Sequence, residues 1–87
     1  MLERGCIVRS KAGRDKDTYL VVVSVDGKNC YLCDGKKRPL ERPKLKNSKH
    51  LAPTNWILNE EQLSTNKGLR QALKEFLEKS ANQVGGD

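Results

Sequence analysis

The sequence predicts a mainly β domain, five short strands in a small barrel or meander, with one C-terminal amphipathic α-helix packed on it. Three observations predict it. Thr18 to Val25 is a run rich in β-branched residues. Asp26-Gly27 and Asp34-Gly35 are tight-turn dipeptides, since glycine readily supplies the positive φ that such turns need. Leu69, Ala72, Leu73, Phe76 and Leu77 recur at the three- and four-residue spacing of one helix face.

Taken in order, Gly5 to Arg9 is a short apolar strand that ends in the polar loop Ser10 to Asp17. Thr18 to Val25 follows. Its faces are Tyr19, Val21, Val23, Val25 and Leu20, Val22, Ser24. Both are apolar, so each requires a cover. Asn29 to Asp34 is the return strand. Lys37 to Arg42 is expected as a short strand that Pro39 confines to an edge. Lys46 to Leu51 is expected as the last strand. These strands occupy residues 1–52, and residues 53–64 read as a linker with apolar anchors at Trp56, Ile57 and Leu58. Ser64-Thr65-Asn66 offers helix N-cap residues, and the helix is expected over 65–81. Glu75 and Lys79 are spaced for an i, i+4 ion pair. Residues 82–87, with Gly85-Gly86, read as a frayed tail. A helix of this length is marginal alone, so its stripe is expected to pack on the strands, on the Leu20/Val22 face.

Eighty-seven residues form one domain with a modest core, too small for an elaborate enclosed active site. The longest apolar run, Tyr19 to Val23, is far short of the roughly 20 residues of a membrane span. The first residues lack the apolar stretch of a signal peptide, so a cytoplasmic protein is expected, with no membrane partner. Three cysteines are an odd number with no disulfide pattern. The formal charge is +6, and it is uneven: residues 1–50 hold 13 Lys/Arg and 6 Asp/Glu, residues 51–87 hold 4 and 5. A localised basic surface is the footprint of a polyanion partner, more than of a merely solubilising surface.

The loop Lys11-Ala-Gly-Arg-Asp-Lys16 has the chemistry for phosphate binding. Gly13 permits unusual backbone and close approach, and Lys11, Arg14 and Lys16 supply charge around it. Arg9 extends the patch from the strand end. A second basic stretch carries Lys36, Lys37, Arg38, Arg42, Lys44, Lys46, Lys49 and His50, with Glu41 as its one acid. Prolines 39 and 43 keep it partly extended, either as a ribbon along a nucleic acid backbone or as a flexible basic loop. Tyr19, Tyr31, Trp56 and Phe76 are scattered and patterned mostly toward the core, so shape and phosphate recognition is expected rather than base reading.

Cys30-Tyr-Leu-Cys33 is a CxxC which Cys6 and His50 could complete as a zinc set. However, the pair lies in a predicted strand, where residues three apart point to opposite faces, so buried cysteines and no metal are expected. No Ser/His/Asp, Cys/His or paired-carboxylate arrangement stands out. No enzymatic activity, cofactor or small-molecule substrate is expected.

Gly5-Cys-Ile-Val-Arg-Ser-Lys-Ala-Gly-Arg-Asp-Lys16, followed by Tyr19-Leu-Val-Val-Val23, resembles a KOW motif. Together with Asp34-Gly-Lys-Lys-Arg-Pro-Leu40 and Lys49-His-Leu51, it is similar to bacterial KOW-domain RNA-binding proteins, relatives of small KOW-type ribosomal proteins of archaea and eukaryotes. The likeness covers about residues 3–52 and departs at Asp17, where the motif carries glycine. The resemblance implies an SH3-like barrel and an RNA ligand, ribosomal RNA or another structured RNA. It thus points to a ribosome-associated role in translation or ribosome assembly, with ribosomal proteins as further partners and the chain itself a monomer. The alternative function is a protein-interaction module of a ribosome- or transcription-associated complex.

Overall fold

The computed structural model describes residues 2–85, with side chains up to Ser80. It is mainly β: strands β1 (Cys6–Ser10), β2 (Tyr19–Asp26), β3 (Asn29–Cys33), β4 (Lys44–Asn47) and β5 (Leu51–Ile57) precede helices α1 (Glu60–Leu63) and α2 (Asn66–Gly85). The strands make one antiparallel sheet in the order β4-β3-β2-β1-β5. Among the described residues no ladder joins β4 to β5, so the sheet is open. A one-turn 3₁₀ helix, Ser48–His50, carries the chain from one edge to the other.

The sheet is nevertheless strongly curled. β4 and β1 are three strand spacings apart, about 14 Å in a flat sheet. Yet Lys46 Nζ on β4 lies 2.8 Å from Ser10 Oγ on β1. The concave face encloses Cys6, Val8, Leu20, Val22, Cys30, Leu32 and Leu51. The curl is thus what covers the Leu20/Val22 face. The helix packs on the other face. Leu69, Ala72, Leu73 and Phe76 bury against Ile7, Val21 and Cys33, and Phe76 meets the rings of Tyr19 and Trp56 at 5.0 and 5.4 Å. The expected docking face is therefore corrected: α2 sits on the Tyr19/Val21 side. Burying Leu69, Leu73 and Phe76 contributes about 2 kcal/mol each, an upper figure, enough to hold a helix that is marginal in water.

Three further expectations change. The expected last strand, Lys46 to Leu51, is divided: β4 ends at Asn47, whose side chain caps the 3₁₀ turn Ser48–His50 by accepting from Lys49 N–H, and Leu51 opens β5. Residues 37–42 form no strand, because side chains capture their backbone donors. Asp34 Oδ1 accepts from the N–H groups of Lys36 and Arg38, and Asn66 Oδ1 accepts from that of Leu40, each at 2.8 Å. The segment is turns, and the ladder resumes only at Lys44. Conversely, the expected linker 53–64 holds most of β5 and all of α1. Pro53 masked the strand, but β5 is an edge strand, where a missing N–H is tolerated. α1 is opened by a capping box in which the Asn59 and Gln62 side chains each accept from the other's backbone N–H. Thr65 Oγ1 accepts from Gly68 N–H at the start of α2, as the N-cap reading expects. The i, i+4 pair forms too, with Lys79 Nζ 3.0 Å from Glu75. α2 extends to Gly85, into the expected tail 82–87, of which Gly86 and Asp87 lie outside the described residues. No helix among the described residues is long and apolar enough to cross a membrane.

Candidate nucleic-acid interface

The loop after β1 is closed from within. Asp17 N–H donates to Ser10 O at 2.7 Å, Thr18 N–H to Asp15 O at 3.0 Å and Lys16 N–H to Gly13 O at 3.2 Å. Gly13 stands at φ +86° and Asp17 at φ +70°. Asp17 thus adopts the left-handed conformation that glycine takes most freely, one that aspartate tolerates better than most residues. Its Oδ1 accepts from Arg9 at 2.9 Å, so Arg9 serves the loop.

Asp15 turns inward. Its Oδ1 accepts from Lys46 Nζ at 2.6 Å and from Ser10 Oγ at 2.9 Å, and its Oδ2 lies 3.2 Å from Lys44 Nζ, an ion pair without hydrogen-bond alignment. Burial by itself would raise the carboxyl. The hydrogen bonds from Lys46 and Ser10, with the close Lys44 ammonium and the Lys46 charge, outweigh it and hold the pKa at about 2. Lys46 also donates to Ser10 Oγ and Ala12 O, both at 2.8 Å, and its side chain is only 9% exposed. The charge of Lys46, and in part that of Lys44, is thus answered inside the protein, and both lysines brace the loop.

With Asp15 withdrawn, Lys11, Arg14 and Lys16 point to solvent, and none forms an ion pair among the described residues. The basic stretch that follows reaches this loop in parts. Lys11 N–H donates to His50 O at 2.7 Å, which sets His50, and Lys49 before it, beside the loop. Lys37 and Arg38 share a cleft with Arg14 and Lys44. Lys36 faces a neighbouring groove beside α2, and Arg42 lines neither hollow. The stretch is thus no extended ribbon. Residues 34–38 are a turn folded on Asp34, and Gly35 fits only without a side chain: at φ +79°, a Cβ would lie 2.3 Å from Asn66 O. Arg70 fastens the same turn to α2 through Gly35 O at 2.8 Å.

Asp15 and Asp34, which organise both loops, were invisible as such in sequence. Asp34 beside glycine was a turn signal. Asp15 gave only an acid among bases, with partners on β4 about which no local pattern speaks.

The cysteines of the CxxC lie on opposite faces, Cys30 in the concave cluster and Cys33 under α2. Burial pushes both thiols up, Cys33 to about 11, with Asp34 and Glu41 adding to the shift there, and it raises Cys6 likewise. Comparison with protein-family models and with curated proteins finds no match for this chain.

Proposed function

We propose that the chain is an RNA-binding module of the KOW type, its curled sheet an SH3-like barrel in all but the last ladder, acting on ribosomal or other structured RNA in the cytoplasm. The reading places it at the ribosome or its assembly, as a binder and not an enzyme. One observation carries it. Asp15 answers two lysines inside the fold, and Lys11, Arg14 and Lys16 are left outward on a braced loop beside Lys37 and Arg38. A rigid cluster of unanswered cations suits the regular spacing of phosphates, with Arg gripping bidentately and Lys as a point charge.

The test is anisotropy of a labelled ribosomal RNA hairpin against salt. With about five phosphates neutralised, log affinity falls with log salt at a slope of roughly −3 to −4. Reversing charge at Arg14 and Lys16 together abolishes binding. A salt-independent affinity, or binding that survives the reversal, refutes the proposal and leaves a protein partner as the better assignment. Crosslinking in cells then identifies the RNA.

A further inference from the structure

Two hollows lie side by side at the basic end of the molecule and share a wall, Thr18 and Asp34. The smaller carries net positive charge: Arg14, Lys37, Arg38 and Lys44 line it together with Asp15, which pairs with Lys44, and Asp34. The larger is an open groove of about 720 Å³ between the loops and α2. Its floor is apolar: half-buried Tyr19, whose ring is held against Phe76, with Leu73 and Leu77. Leu77 belongs to the helix stripe but is 48% exposed, because it faces this groove and not the core. Lys36, Arg70 and Lys74 line the groove together with the acids Asp17, Asp34 and Glu78, so the groove itself is near neutral.

An anionic cleft partner joined to a flat apolar partner is the composition of a nucleotide. We infer that one unpaired nucleotide of the bound RNA spans the two hollows, its phosphate in the cationic cleft and its base in the groove against Tyr19 and Leu77. This rests on the RNA-binding reading above. Bases extruded from loops and bulges are held in this way, by stacking and apolar contact together with hydrogen bonds to their edges. Asp34 supplies the edge contact at the shared wall. Its Oδ1 is fixed by two backbone N–H groups, and its Oδ2 takes no hydrogen bond among the described residues. A fixed carboxylate oxygen accepts from an exocyclic amino group, so cytosine is favoured over uracil, which offers a carbonyl there.

Three hairpins of identical stem test this by anisotropy: fully paired, with one bulged cytidine, and with one bulged uridine. The cytidine bulge binds about tenfold more tightly than the paired stem. Leu77→Glu, at an exposed position, removes that advantage and leaves the paired stem bound as before. Asp34→Asn keeps Oδ1 for the turn and replaces the free acceptor with a donor, so the order becomes uridine over cytidine, by about fivefold. Equal binding of all three hairpins, or a bulge preference untouched by both substitutions, overturns the inference while the RNA reading stands. Binding of none of them at low salt overturns both.

Discussion

Asp15 and Lys46 are 31 positions apart in the chain and 2.6 Å apart in space, and between them they tie the first loop to the far edge strand. Removing Asp15 leaves the Lys46 ammonium buried without a counter-charge. Asp15→Ala is expected to cost about 3 kcal/mol in urea unfolding. The double change Asp15→Ala with Lys46→Met costs less than Asp15→Ala alone, since the stranded ammonium is gone.

The same pair sets an acid limit. The Asp15 carboxyl lies at about 2 in the fold against an ordinary 3.8. A group depressed by folding adds stability in full above its unfolded pKa and loses it as pH falls through the folded one. About 2 kcal/mol is therefore present above pH 4 or so and lost toward pH 2. Unfolding followed from pH 5 to 2 shows this step in the native sequence. In Asp15→Asn the step is absent.

Asp17 carries the left-handed conformation of the loop at φ +70°. Asp17→Gly relieves the backbone and loses an exposed pair with Arg9, and it stays within about 0.5 kcal/mol of the native protein. Asp17→Val, which cannot relax there, loses about 1–2 kcal/mol. Thermal melts of the two variants separate backbone conformation from side-chain contact.

The three thiols are buried, and Cys33 is raised to about 11. At pH 8 about one Cys33 in a thousand is thiolate, so a disulfide reagent modifies it only as fast as the protein opens. Fast labelling of the native protein, with no slowing relative to the urea-unfolded chain, contradicts this burial.

What the sequence made legible was what local pattern encodes. The β2–β3 hairpin, the helix stripe and its Thr65 cap all follow from periodicity and turn chemistry. The opposed Cys30 and Cys33 follow from strand alternation. Where side chains intercept backbone donors, pattern failed: Asp34 and Asn66 turned an expected strand into turns. Pro53 hid β5 because its tolerance depends on lying at a sheet edge, which is a tertiary fact. Among the expected phosphate ligands, Lys11, Arg14 and Lys16 are exposed and form no ion pair among the described residues. Lys46 is paired with an acid five residues beyond β1, on the other side of the curl, a contact that charge counting along the chain does not reveal.

The open sheet leaves β4 and β5 as edges, and unpaired strand edges invite polymerisation. Here the bracing lysines have a second effect. Lys44 and Lys46 put inward-directed, tethered charges on one edge, and Pro53 withholds a donor from the other. A second copy adding its strand to either would gain an imperfect ladder beside a fixed ion cluster or a missing hydrogen bond. The network that shapes the loop thus also makes the β4 edge a poor template for a further strand.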